Sequence, residues 1–302
     1  MAASLRQHWK WWLAAVVLIG IGVAFYFLKP VRGPERDLTL KGDATRGAYL
    51  IRLSGCDSCH TDHDQNTGIF AGGKPLKTPF GIFYPPNITP DKETGIGNWT
   101  PAQFSEALSN GNGPQGNLYP VFPYNNFTLM SDQEVADLYA AVMAVPPVSH
   151  QAPANRVIFP FNIRLLVSGW KNLFFSPHRY QNDPSHSAQW NRGAYLANGP
   201  AHCVACHSPL NALGAVVQGA HFTGNPVSGP GGKAPPLIPA ALLQDGYTRD
   251  GLAQTLKTGI TPNAGKVGDE MGLVVTDETS HWTDDDLKAV ADYLLDLQQH
   301  RP

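Results

Sequence analysis

Cys56-Asp57-Ser58-Cys59-His60 and Cys203-Val204-Ala205-Cys206-His207 hold every cysteine of the chain. Cys-x-x-Cys-His presents two thiols on one turn, spaced to add to the two vinyl groups of a haem. The adjacent His then goes to the iron as proximal ligand, which is the pattern of c-type haem attachment. Zinc knuckles would need the two distant motifs to meet in one shared site. A thioredoxin-like pair would need a βαβ context, which the sequence lacks. Structural disulfides would leave the following His unexplained in both copies. The expectation is two covalent haem c groups, on Cys56, Cys59 and His60, and on Cys203, Cys206 and His207.

Working outward, the chain repeats itself. Arg46-Gly47-Ala48-Tyr49-Leu50 recurs as Arg192-Gly193-Ala194-Tyr195-Leu196, each shortly before a cysteine motif. Thr100–Gly111 parallels Thr248–Gly259, and both read as a short helix ended by Gly. Thr100 is the expected cap, with Pro101 at the first helical position and Gln103 closing the capping box. Each copy closes with an amphipathic helix. Ser131 and Glu134 begin the first, which carries Val135, Leu138, Tyr139 and Val142 at helical spacing. Thr283 and three aspartates begin the second, which carries Leu287, Val290, Ala291, Leu294 and Leu295. The period is far longer than the roughly 20–50 residues of a solenoid repeat, so it reads as a domain duplication. Tyr49 and Tyr195 read as core residues packing opening helices against closing ones.

The 302 residues include 30 Gly and 26 Pro, only 15% are charged, and the net charge is −2. That excludes a coiled coil and a self-repelling disordered chain, and gives no electrostatic reason to expect nucleic-acid binding. It describes loops wrapped around apolar cofactors. Trp11–Leu28 is an uncharged, mostly apolar run of the length a spanning helix needs, about 17–25 residues. No small-residue pair follows it, so an uncleaved anchor is favoured over a signal peptide. Arg6 and Lys10 before the run, and Lys29, Arg32 and Arg36 after it, leave orientation open. The thioether chemistry places the body outside the cytoplasm. The connector holds Ile163, Leu166, Val167, Trp170, Leu173 and Phe174 on one helical stripe. The expectation is a linker helix packed across the seam between domains; docking to a partner subunit or the membrane surface is the alternative.

A haem iron that only carries electrons takes a second axial ligand, and Met suits the task. Met271, in the loop before the last helix, is expected for the second haem, and Met130, just before the cap Ser131, for the first. Met143 is expected to pack. Aligning the closing helices sets Met130 opposite Trp282. His63, His150, His178, His186, His202, His221 and His281 read as exposed loop residues, with His150 and His281 as spare ligands.

Several blocks carry a resemblance: Thr78-Pro79-Phe80-Gly81, Pro86-Asn87-Ile88-Thr89-Pro90-Asp91, Thr94-Gly95-Ile96-Gly97-Asn98-Trp99, Leu118-Tyr119-Pro120-Val121-Phe122-Pro123-Tyr124 and Trp190–Leu196. Over roughly residues 40–300 the chain resembles the periplasmic multihaem cytochrome c subunits of bacterial membrane-bound alcohol and aldehyde dehydrogenases. The alcohol dehydrogenase cytochromes carry three haems where this chain has two. Some relatives place the first axial Met where this chain has Phe122, so Met130 must serve. The expected fold is all-α, with two tandem class I cytochrome c-like domains after one transmembrane helix. The expected segments are an anchor (1–37, helix about 11–28), domain 1 (38–147), a connector (148–187) and domain 2 (188–302). The resemblance implies electron relay rather than catalysis. A catalytic dehydrogenase subunit would be the donor, and quinone, a terminal oxidase or a soluble cytochrome the acceptor, at the periplasmic face of the inner membrane. The rival is a dihaem enzyme of the peroxidase or thiosulfate dehydrogenase type.

Overall fold

The structure is a computed structural model that describes residues 2–65, 67–229 and 232–297; the end of the second expected domain, 298–302, lies outside them. The helices of the N-terminal half are α1 (Ala2–Leu28), α2 (Ala44–Leu53), α3 (Cys56–His60), α4 (Pro101–Asn110), α5 (Tyr124–Phe127) and α6 (Asp132–Met143). Then come α7 (Leu166–Phe174), α8 (Ala188–Asn198), α9 (Cys203–Cys206), α10 (Pro239–Gln244), α11 (Arg249–Thr258), α12 (Asp269–Asp277) and α13 (Asp284–Leu295). The chain is mostly helical, but all-α needs correction. Strands β1 (Leu76–Thr78), β2 (Gly81–Phe83) and β5 (Arg156–Val157) form an antiparallel sheet in the order β1-β2-β5. Two short antiparallel pairs join β3 (Asn112–Gly113) to β4 (Gly116–Asn117), and β6 (Asn225–Gly229) to β7 (Gly232–Ala234). These ladders are loops that satisfy their backbone groups on each other, as buried or half-buried loops must.

The expected helix signals are realised at atomic detail. Thr100 and Gln103 close a reciprocal capping box on α4, and Ser131 and Glu134 do so on α6. Thr283 caps α13 through the Asp286 amide, and Thr248 caps α11 through that of Gly251. Gly111 and Gly259 end α4 and α11 in the left-handed conformation.

The repeated Arg-Gly-Ala-Tyr-Leu has a physical meaning at nearly every letter. Opening helix α2 crosses closing helix α6, and α8 crosses α13, at backbone contact. A Cβ built on Gly47 would stand 2.0 Å from the Asp137 carbonyl oxygen, and one on Gly193 would stand 1.9 Å from that of Ala289. The preceding Arg locks each crossing with a forked ion pair. Arg46 Nε and Nη2 donate to Asp137 at 2.7 and 2.8 Å, and Arg192 Nε and Nη2 donate to Asp286 at 2.7 and 3.0 Å. Leu50 and Leu196 enter the core. Tyr49 corrects the expectation, because it reaches the closing helix of the other copy. Its hydroxyl donates to Asp286 Oδ2 at 2.7 Å and accepts from the Thr283 amide at 3.0 Å. Tyr195 has its ring buried as expected.

One apolar cluster runs through both copies, from Leu50, Phe127 and Leu138 to Leu196, Trp282 and Leu294. Trp282, the counterpart of Met130, is buried there, and its indole N–H donates to the Arg52 carbonyl at 3.3 Å. Asn126 Nδ2 donates to the Asn198 carbonyl at 2.7 Å, a second stitch between the copies.

The connector helix α7 is shorter than the apolar stripe predicts, and only half of the stripe packs inward. Val167 is buried, and half-buried Trp170 donates its indole N–H to the Leu213 carbonyl at 2.9 Å, as a linker helix across the seam would. Val167, Ser168 and Lys171 face the body, while Ile163, Leu166 and Leu173 face outward. The cause is Lys171. Its fully buried ammonium donates to the carbonyls of Asn110 (2.9 Å) and Gly111 (2.6 Å) and to the side-chain oxygens of Asn112 (2.8 Å) and Asn117 (3.0 Å). It sits at the C-terminal end of α4, where the helix dipole favours a cation. Burial lowers its pKa to about 8, so it stays charged at neutral pH.

Gly193→Ala forces the α8–α13 crossing apart. The expected result is a loss of about 1–3 kcal/mol or more of stability, as for an overpacked core, read as a lower thermal midpoint by circular dichroism. An unchanged midpoint would contradict the backbone contact.

Candidate haem-attachment site

Both cysteine motifs form a single helical turn entered through a left-handed residue, Gly55 (φ 60°) before α3 and His202 (φ 40°) before α9. The following loops are built alike. The hydroxyls of Thr61 and Ser208 accept the amides of Phe70 and Phe222, at 3.0 and 2.9 Å. The carbonyls of Phe70 and Phe222 accept the amides of Ile88 and Leu237. Those strands of loop deliver a proline carbonyl to each histidine. His60 Nδ1 lies 2.7 Å from the Pro86 oxygen, and His207 Nδ1 lies 2.8 Å from the Pro235 oxygen. A carbonyl can only accept, so Nδ1 carries the hydrogen and Nε2 keeps its lone pair. This is how a protein fixes the tautomer and direction of an iron-binding imidazole. Burial holds both histidines below the usual pKa, in the neutral form that can ligate.

The four cysteines are free of disulfides. Burial raises the thiols of Cys56, Cys59 and Cys203 to about 12 and that of Cys206 to about 11. Cys59 is exposed to solvent, and the other three cysteines are half-buried. Among the described residues, no three His, Cys, Asp or Glu side chains gather into a metal-binding group. Two thiols and one oriented imidazole per turn, against an apolar cluster that includes Cys56 and Cys203, fit covalent haem.

Met130 is fully buried, and Met271 packs half-buried against the same cluster. Arg36 holds the Met130 segment by donating to the carbonyls of Met130 (2.6 Å) and Thr128 (2.8 Å). Arg36 is itself paired with Asp132, which also takes a two-point contact from Arg179. Met271 stands on the first turn of α12, which corrects the expected loop. Met143 is half-buried at the end of α6, as expected for packing. His202 also departs from expectation. Its ring is enclosed, edge-on to Phe127, with Nδ1 3.0 Å from the Pro200 oxygen. His150 and His186 are half-buried rather than exposed, the latter stacked on Trp190.

Sequence reading missed the groups that support the site from behind. Thr61 and Ser208, Phe70 and Phe222, and Pro86 and Pro235 recur in the two copies, and a search for a repeated Phe-x-Gly would have found Phe70 and Phe222. It also missed Glu278. This carboxylate lies buried between the two motifs, accepts from Ser58 Oγ at 2.6 Å and fills the space where Gly55 has no side chain. Its charge acts on all four cysteines.

No family model matches the chain. A diheme cytochrome c-type protein of Cereibacter sphaeroides is 35% identical over 93% of this chain and 95% of its own length. One of the subunits of a nicotinate dehydrogenase of Pseudomonas putida is 39% identical over 96% of this chain, and the cytochrome c subunit of a quinone alcohol dehydrogenase of Gluconobacter oxydans is 35% identical over 98%. The match to the first of these spans nearly the whole of both proteins. The chain belongs to the c-type cytochromes. It spans a quarter of the nicotinate dehydrogenase polypeptide and 62% of the alcohol dehydrogenase cytochrome. As a c-type cytochrome it is an electron-transfer protein with covalent haem c rather than a catalytic enzyme.

Glu278 gives this cytochrome a pH signature. Burial raises its carboxyl from 4.5 to about 7 in the folded protein. Below pH 4.5 it is protonated whether folded or unfolded. Between 4.5 and 7 the unfolded chain ionises first, so stability falls as pH rises and levels off above 7. The drop is at most about 3 kcal/mol. Glu278→Gln is expected to flatten this part of the profile of thermal midpoint against pH. An unaltered profile would refute the assignment.

Proposed function

We propose that the chain carries two haems and relays electrons through them from a catalytic dehydrogenase subunit to an acceptor. That acceptor is a quinone, a terminal oxidase or a soluble cytochrome. The carrying observation is that the same attachment site is built twice. Each has a cysteine turn entered through a left-handed residue and an imidazole oriented by a proline carbonyl. Haem supplies a one-electron iron couple when bound. Cys56, Cys59, Cys203 and Cys206 tether the groups. His60 with Met130, and His207 with Met271, would hold the two irons and leave no place for a substrate. The Arg36 clamp on the Met130 segment supports the first pair, and the packing of Met271 on the shared cluster supports the second.

Residues 38–147 and 188–302 are two tandem class I cytochrome c-like domains joined by the connector 148–187. The segment 1–37 anchors them. Helix α1 supports this, since Trp9–Leu28 is long and apolar enough to cross a membrane. The haem domains then lie in the periplasm, at the outer face of the inner membrane.

The test is a haem count with ligand variants. Pyridine haemochrome should give two haems per chain, falling to one in Cys203→Ser/Cys206→Ser. Met130→His and Met271→His should each remove half of the Met–iron charge-transfer absorption and lower one reduction potential, because Met raises the potential relative to His. One haem in the unaltered protein, or a full charge-transfer band in either Met variant, would overturn the corresponding assignment.

A further inference from the structure

Part of the connector's apolar stripe is exposed: Ile163, Leu166 and Leu173 face outward. Leu166 and Leu173 lie two helical turns apart on α7, and Ile163 continues the line one turn earlier, while Trp170 between them turns inward to donate to the Leu213 carbonyl at 2.9 Å. Leu166 is 47% exposed and Leu173 55%, while the opposite face is pinned to the body through Lys171. Just upstream, Phe159 is 78% exposed beside the exposed Ile158.

The position of this patch says what covers it. Helix α7 sits at the C-terminal end of α1. Asn172 Nδ2 donates to the carbonyls of Phe27 (3.3 Å) and Lys29 (3.0 Å), and Gly169 lies next to Phe27. The patch is thus held at the level where a spanning α1 leaves the bilayer. Charge agrees with this placement. No carboxylate side chain occurs between Asp137 and Asp183. Exposed Arg156 and Arg164 flank the apolar residues, and Lys29 and Arg164 lie over the rings of Tyr26 and Tyr119. An apolar face rimmed by cations and aromatic rings is the composition of a helix lying in the membrane interface.

We propose that α7 and the adjoining Ile158–Leu165 segment rest in the headgroup–acyl boundary of an anionic lipid surface. The cytochrome would then be held against the membrane at two points, α1 through it and α7 along it. The inference rests on α1 being a membrane span, and the experiment separates the two.

The full, haem-loaded chain is reconstituted in vesicles of phosphatidylcholine and phosphatidylglycerol containing a trace of diazirine-acyl phospholipid. After illumination, lipid adducts are mapped by mass spectrometry. Adducts are expected on the α1 peptide and on the peptide covering 156–174. Leu166→Glu/Leu173→Glu should cut the second set several-fold, with the first set and the haem absorption unchanged. Omitting phosphatidylglycerol should also lower the second set several-fold. Adducts on α1 alone would mean that protein or water covers the patch, which overturns the docking while sparing the anchor. Adducts on neither peptide would overturn the anchor and the docking with it. Equal labelling of 156–174 without phosphatidylglycerol would overturn the preference for anionic lipid.

Discussion

Two helix crossings at backbone distance set the frame on which everything else hangs. With Gly47 against the Asp137 carbonyl and Gly193 against that of Ala289, the opening helices cannot slide or roll on the closing ones. The forked Arg–Asp pairs fix the remaining freedom. The cysteine turns leave the far ends of α2 and α8, so their place relative to the closing helices is set before any haem contact. A crossing made by larger side chains would separate the axes, since interaxial distance depends on the residues at the contact.

The copies share this frame but not every partner. Arg46 pairs with Asp137, which follows the cap Ser131 by almost two turns, whereas Arg192 pairs with Asp286 in the first turn after Thr283. The shift frees Asp286 to bind Tyr49 of the first copy as well. One carboxylate thus ties a crossing within its own copy to the seam between copies. Trp282 makes a similar exchange. It stands where the first copy has Met130 and spends its side chain on the shared core and the Arg52 carbonyl. The second axial candidate must therefore come from elsewhere, and Met271 on α12 is at hand.

Caps, breakers and the cysteine turns were legible in the sequence because each is decided within a few residues. Thr100, Ser131, Thr283 and the terminal glycines behave locally as their chemistry dictates. The exposure of Ile163, Leu166 and Leu173 on α7 was not legible. An apolar stripe is ordinarily evidence of a core-facing surface, and only the tertiary arrangement reveals that a buried lysine holds the opposite face. Helix α12 was obscured by Gly268 and Gly272, which read as loop in isolation. Pro86 and Pro235 contribute main-chain oxygens, which any residue possesses, so no side-chain pattern at those positions announces the bond to histidine.

The stretch after α1 belongs as much to the first candidate site as to α1. Gly33 donates its amide to Asn110 Oδ1 at 2.9 Å, Arg36 grips the Met130 segment, and Asp37 donates its amide to Asp132 Oδ2 at 3.0 Å. On the other side, Asn172 of α7 holds the last carbonyls of α1, and Lys171 holds the end of α4. A long Gly/Ser-rich tether would let the body tumble. These bonds instead join the end of α1, α7 and the first cysteine unit into one stitched body. Loosening Arg36 therefore disturbs two things at once, the backing of Met130 and the attitude of the body relative to α1. For a chain that hands on electrons, both matter, because transfer depends on the distance and orientation of the groups it brings together.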